Sequence, residues 1–236
     1  MQRLDKYLAD AGVGSRKELK ALIRSGTVTV DGAQVRDESQ QIDEKAACVL
    51  VRGVRAEPRR TLTLMLHKPA GYVTSTEDPR DPTVMELLPP QLRRWDVVPV
   101  GRLDKQTEGL LLLTNDGALA HRLISPKYEV EKEYYAEHEG ICTEEDVRRF
   151  AEGLMLRDGT VCRKAQLSPL GEGRSLVTVT EGKYHQVRRM LAACGHPVTY
   201  LRREREGGLR LGNLPKNEWR ELTETEIRSL FPQDKP

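Results

Sequence analysis

The chain has 236 residues, of which 38% are hydrophobic and 31% charged, and a formal net charge of +2. That length suffices for one substantial core with a small appended domain, and the charged share implies an extensive wet surface. No apolar run approaches the roughly 20 residues of a membrane span and MQRLDKYLAD lacks the apolar centre of a signal peptide, which sets membrane roles aside and makes a cytoplasmic location the expectation.

Leu4, Leu8 and Ala11 recur at helical spacing until Gly12-Val13-Gly14 interrupts them. A second helix restarts at Ser15, which stands with Glu18 in the Ser-x-x-Glu relation of a capping box. Leu19, Leu22 and Ile23 form its apolar stripe and Gly26 its stop. Arg16, Lys20 and Arg24, four residues apart with Lys17 beside them, make a cationic ridge on the opposite face. Such a ridge suits a phosphate backbone, giving affinity with little sequence choice. Thr27 to Val30 then alternates as a strand, and Asp31-Gly32 signals a hairpin whose return begins at Ala33. The first 60 residues hold 12 Lys/Arg against 9 Asp/Glu, so the excess of base lies here. Residues 52–60, RGVRAEPRR, read as a linker between a domain over 1–51 and another over 61–236.

Past the linker, strand-like runs at Leu62 to Leu66, Val97 to Val100, Leu110 to Leu113, Glu129 to Ala136 and Leu176 to Thr180 mix with helices beginning near Ala118, Thr143, Tyr184 and Thr223. The pattern is α+β, and clean strand-helix-strand alternation is too rare for a doubly wound parallel sheet. GxxxxGK and GxGxxG are both missing, which removes the usual nucleotide addresses. Cys48, Cys142, Cys162 and Cys194 include no CxxC pair, so reduced, mostly buried thiols are expected and no metal site. Cys194-Gly-His196-Pro reads as a turn after a helix.

The richest stretch is GRLDKQTEGLLLLTNDG at 101–117, where a charged loop runs into four leucines and a turn. An aspartate just ahead of a buried strand is held at the rim of the core, where partial loss of water sharpens its interactions. Asp104 is that residue; an alternative is a turn cap with Arg102 and Lys105 solvated around it.

Several segments carry a family resemblance. VGRLDKQTEGLLLLTNDG resembles the aspartate motif of pseudouridine synthases of the RsuA branch; HKPAGYV at 67–73, EKEY at 131–134 and EGKYHQVRRM at 181–190 are similar to that branch's other motifs in order. The N-terminal helix-helix-hairpin resembles the small RNA-binding fold shared with ribosomal protein S4. The resemblance implies a catalytic domain with a mainly antiparallel sheet that isomerises uridine in ribosomal RNA, or in a ribosomal subunit precursor, without a cofactor or metal. It assigns Asp104 as the catalytic carboxylate, Arg188 as the guanidinium paired with it and favouring its charged form, and Tyr134 as the ring stacked on the flipped uracil, with Tyr135 on the other face of the strand. It makes Arg102 the wedge filling the vacated helix, and Lys68, Lys132, Lys183 and His185 lining of the RNA channel. GYVTSTEDPRDPTVMELL at 71–88 and the lack of a basic tail look more like small-subunit than large-subunit members, favouring 16S over 23S rRNA. A monomer is expected. Two other readings compete: a non-catalytic RNA-binding assembly factor, and a glycosidase-like hydrolase with Asp104 and Glu108 as paired carboxylates.

Overall fold

The computed structural model describes residues 1–44, 46–57, 61–89, 92 and 95–231. The chain divides into two compact units, Met1–Arg60 and Thr61–Pro236.

The first unit contains β1 (Gln2–Arg3), α1 (Leu4–Asp10), α2 (Arg16–Arg24), β2 (Val28–Val30), β3 (Ala33–Val35), β4 (Gln41–Ile42), β5 (Val49–Val51) and β6 (Val54–Arg55). The α2 start has the reciprocal bonds of a capping box: Ser15 N–H donates to Glu18 Oε2 at 2.8 Å, and Glu18 N–H reaches Ser15 Oγ at 3.5 Å. Leu4, Tyr7 and Leu8 of α1 meet Leu19 and Ile23 of α2 over Val28, Val35 and Val49. The sheet order is β3-β2-β5-β6, with β1 and β4 paired separately. Part of the expected linker is therefore sheet: Val54–Arg55 pairs with β5, Ala56 is buried, and the Ala56 carbonyl accepts the Tyr7 hydroxyl at 3.1 Å. A short hairpin supplies this strand despite its basic composition, because an edge strand needs only one paired side. Pro58, Arg59 and Arg60 lie outside the described residues.

The second unit comprises β7 (Thr63–Lys68), β8 (Val98–Val100), β9 (Glu108–Thr114), α3 (Gly117–Ile124), β10 (Lys132–His138), α4 (Glu144–Glu152), β11 (Gln166–Gly171), β12 (Arg174–Val179), α5 (Gln186–Ala193), β13 (Val198–Glu206), β14 (Leu209–Arg210), β15 (Trp219–Glu221) and α6 (Glu224–Ser229). Among the described residues its sheet runs β11-β12-β10-β13-β9-β7-β15, with β14 on β13 and β8 on β9. Pairings are antiparallel except β9 with β13. β10 starts at Lys132 and not at Glu129, because Pro126–Tyr128 forms a 3-10 turn that ends with Glu129 at φ +46°.

The four leucines of β9 alternate sides. Leu111 and Leu113 join Leu64, Leu66, Val84 and Leu103 in one core, whereas Leu110 and Leu112 join Met65, Leu123 and Leu209 in another. A third core forms where α4 and α5 pack on β10, β12 and β13, through Phe150, Met190, Leu191, Val177 and Leu201. Burying both faces of β9 makes its mount rigid, and the loop ahead of it inherits that rigidity.

Candidate functional site

The loop carrying Asp104 joins β8 to β9 and is clamped through its backbone. Leu103 is buried, its carbonyl accepts the Thr74 hydroxyl at 2.7 Å, and its N–H reaches Thr74 Oγ1 at 3.1 Å. Asp104 closes a tight turn through its carbonyl, which accepts Thr107 N–H at 2.9 Å. Beneath that turn Lys68 Nζ donates to the carbonyls of Thr107 at 2.8 Å, Pro69 at 3.0 Å, Asp104 at 3.2 Å and Lys105 at 3.3 Å. Burial pulls the Lys68 ammonium down to about 8, against the charges of Asp104 and Glu108, which raise it. The RNA-channel reading of Lys68 is thus corrected: its side chain is fully buried, and it braces the loop instead of meeting solvent.

So held, the Asp104 carboxylate is 32% exposed and looks into a small pocket of about 60 Å³ shared with Arg102, Thr107, Tyr134, Lys183 and His185. His185 Nε2 stands 3.5 Å from Asp104 Oδ1. The expected Asp104–Arg188 ion pair does not form. Arg188 directs Nη1 to the Val198 carbonyl at 3.2 Å and Nη2 to the Gln106 carbonyl at 3.4 Å, so it touches the loop through backbone two residues beyond Asp104. Its position in the first turn of α5 leaves the guanidinium on the carbonyl of the first residue of β13.

Tyr134 lies in the middle of β10, opposite Val177 of β12 and Arg203 of β13, and packs between two of the cores. Burial pushes its phenol up; the nearby Arg203 guanidinium opposes this. Tyr135 takes the other face, where its ring meets Tyr200 edge-on and its hydroxyl donates to Glu137.

Arg203 is a site residue that the motifs did not reveal. It is 2% exposed, donates through Nε to the Leu110 carbonyl at 2.7 Å, and stands 3.3 Å from Glu206 Oε2. Its neighbour across the parallel pairing is Gly109 at φ +106°, where a Cβ would fall 2.3 Å from the Arg203 carbonyl oxygen. Glycine there lets β9 and β13 approach. VTYLRRERE buries Leu201, Arg203 and Glu206, and a register shift opposite Glu133 and Tyr134 breaks the period of two between the last pair, so the strand shows no apolar alternation to read.

A wider cleft of about 640 Å³ adjoins Tyr134, with Arg102, Lys132, Arg163, Lys183 and Arg203 on its walls. Arg102 is exposed. Lys132 is 14% exposed, 3.8 Å from Glu206, and bonds the Val130 carbonyl; burial lowers its ammonium. Lys183 is held by Glu181 at 2.8 Å and the Val161 carbonyl. Tyr184, 75% exposed, stacks on His185 with ring centres 3.8 Å apart.

Glu108 does not pair with Asp104. Lys216 at 2.8 Å and Tyr200 at 2.8 Å occupy its carboxylate; burial works against its charge, but these bonds outweigh it and hold the group below the usual range. The paired-carboxylate hydrolase is therefore set aside. In the first unit Arg16, Lys17, Lys20 and Arg24 are all exposed on α2, but Glu38 binds Arg24 at 3.1 Å and Lys20 at 3.5 Å, which neutralises the far end of the ridge.

A carboxylate held at the rim of a cleft, a tyrosine beside it and cationic walls describe a site suited to chemistry on a polyanionic substrate such as RNA. Comparison with known proteins agrees. Residues 62–193 match the RNA pseudouridylate synthase family model and residues 2–47 the S4 domain model. The chain is 40% identical to ribosomal small subunit pseudouridine synthase A of Pseudomonas aeruginosa, covering 97% of this chain and all of the relative. It is 37% identical to ribosomal large subunit pseudouridine synthase B of Bacillus subtilis, over 98% of this chain and 96% of the relative. A crystal structure of a pseudouridylate synthase superposes with a TM-score of 0.69 at 34% identity, covering 98% of this chain and all of that one. The protein belongs to the RNA pseudouridylate synthase family and is a pseudouridine synthase carrying an S4 domain. Among the described residues, no helix is long and apolar enough to cross a membrane.

Proposed function

We propose that this protein converts one uridine of 16S ribosomal RNA, in a small-subunit precursor, to pseudouridine, acting as a cytoplasmic monomer without a cofactor. The observation that carries the chemistry is Asp104, one-third exposed in a pocket with Tyr134 while Lys68 pins its carbonyl and Thr74 pins the backbone of Leu103 before it. The reaction breaks the bond from ribose C1′ to uracil N1 and forms one from C1′ to C5; a proton leaves C5 and N1 regains one. Asp104 is the carboxylate that acts at the sugar-base junction, and Tyr134 is the platform and proton-handling group for the loosened base. Arg102, exposed at the mouth of both pockets, takes the place of the extruded nucleotide. Arg188 holds the loop through the Gln106 carbonyl. Lys132, Lys183 and His185 line the path of the strand, and Arg16, Lys17, Lys20 and Arg24 give the S4 domain its phosphate-facing side.

The small subunit is favoured by the loop GYVTSTEDPRDPTVMELL, which carries Thr74 against the catalytic loop. The test is pseudouridine mapping of 16S and 23S rRNA from cells with wild-type, deleted or Asp104→Asn protein. Loss of one 16S site in both mutants is the expected result. Loss of a 23S site keeps the chemistry and moves the target to the large subunit. An unchanged map in both mutants overturns the catalytic reading in favour of an assembly factor.

A further inference from the structure

The ends of β10 and β13 remote from Tyr134 and Arg203 enclose a second polar group that the isomerisation does not use. His138 closes β10, Cys142 follows it, Asp146 lies on α4, and His196 sits in the turn before β13; all four are 6–8% exposed. A ring nitrogen from each histidine and Cys142 Sγ lie within 4.8 Å of one another.

The orientation of the rings is specific. The Nδ1 atoms of His138 and His196 lie 3.2 and 3.0 Å from the same oxygen, the Glu139 carbonyl. Nδ1–H donation to a carbonyl fixes the tautomer and leaves each Nε2 as the donor atom for a cation. His138 Nε2 is then 3.5 Å from Cys142 Sγ, and His196 Nε2 is 3.1 Å from Asp146 Oδ2. A tetrahedral zinc with bonds of roughly 2.0–2.1 Å to nitrogen and oxygen and about 2.3 Å to sulfur sets N···S edges of about 3.5 Å and N···O edges of about 3.3 Å. The His138–Cys142 contact matches its edge, whereas Asp146 stands outside the group of three and contacts His196. Gly140, at φ +76°, makes room for the second ring, since a Cβ there would lie 3.1 Å from His196 Nδ1. Thr143 fixes the carboxylate by donating its N–H and its hydroxyl to Asp146 Oδ2, each at 2.8 Å. Ser175 Oγ, 2.9 Å from His138 Nε2, is the protic neighbour a cation would displace.

We propose that His138, Cys142 and His196 form a three-ligand binding site for a zinc-type divalent cation, with a solvent molecule as the fourth ligand and Asp146 beside His196, a clamp that ties the end of β10 to the turn before β13. Two imidazoles and a thiolate are a donor set that suits zinc over magnesium or calcium. On binding, the Cys142 S–H bond gives its proton to solvent and an S–metal bond replaces it, with no change of oxidation state.

The test uses the full chain, expressed with zinc in the medium and dialysed against metal-free buffer. Elemental analysis is expected to find close to one zinc per chain. Cobalt(II) in its place should give the intense visible bands of a tetrahedral centre and a thiolate-to-cobalt charge-transfer band in the near ultraviolet. Cys142→Ser should lose that band and most of the zinc, while Cys48→Ser, in the other unit, keeps both. Circular dichroism separates loss of metal from loss of fold. A folded wild-type chain that takes up no zinc on titration and gives only a weak octahedral cobalt spectrum overturns the site and leaves a proton-filled hydrogen-bond network. Zinc retention with an unaltered charge-transfer band in Cys142→Ser overturns it equally.

Discussion

Two sets of cations in this chain have opposite environments. On α2, Arg16, Lys17, Lys20 and Arg24 stand in solvent; in the second unit Lys68 and Arg203 are withdrawn from it altogether, and Lys132 nearly so. The exposed set is screened by salt, and Glu38 already holds its Lys20 and Arg24; on the proposed reading its part is affinity for phosphates. The buried set is held internally: Lys68 donates to four carbonyls, and Arg203 donates through Nε to Leu110 and forms an ion pair with Glu206. Its contribution is position. Equal residue types thus divide between a solvated helix face and the bracing of buried backbone, and burial draws the line.

The largest effect should come from breaking the buried set. Lys68→Met keeps the volume but strands carbonyl oxygens under the loop; about 2–5 kcal/mol of stability should be lost in denaturant unfolding. Asp104 would lose its mount, so turnover of the folded fraction should fall about a hundredfold. A variant with unaltered turnover would mean that the loop needs no brace.

The exposed set should behave differently. Charge reversal at Arg16 and Lys17 should weaken RNA binding and reduce the slope of log affinity against log salt by about two, without altering the unfolding midpoint. A lower midpoint would show that the ridge also stabilises the fold. A smaller effect of opposite sign tests Glu38. Glu38→Gln releases Lys20 and Arg24, and should tighten RNA binding by about threefold with a steeper salt dependence. No change would mean that this end of α2 does not face the RNA.

The smallest effect concerns a partly exposed pair between these extremes. Arg220, 2.6 Å away, and the Thr223 cap hold the Glu226 carboxyl down at about 2, from an ordinary 4.5. A carboxyl lowered in the folded state contributes stability that is complete above 4.5 and lost as pH falls toward 2. The melting temperature of Glu226→Gln should therefore lie a little below wild type at neutral pH and converge with it near pH 2. Parallel curves across that range would deny the linkage.

The sequence by itself determined what depends on near neighbours. Periodicity and the Ser15–Glu18 box marked α2, Asp31-Gly32 the first hairpin, and the leucine run after Asp104 a buried strand, because capping, turns and alternation are properties of residues two to four positions apart. The motifs carried the family. Partners distant in the chain belonged to the tertiary structure. Lys68 reads as lining of the RNA channel until β7 runs beside β9 and sets its ammonium under the turn, and Arg188 reads as the partner of Asp104 until its guanidinium is found on the Val198 and Gln106 carbonyls. Arg203 could not be recognised as core from composition, since only the β9–β13 pairing and Glu206 make a buried guanidinium tolerable. Cys194-Gly-His196-Pro was legible as a turn, but His196 joins His138 and Cys142 only through the return of β13 along β10. A charged side chain's role is set by its desolvation and its partners, and both are fixed by contacts that lie far apart in sequence.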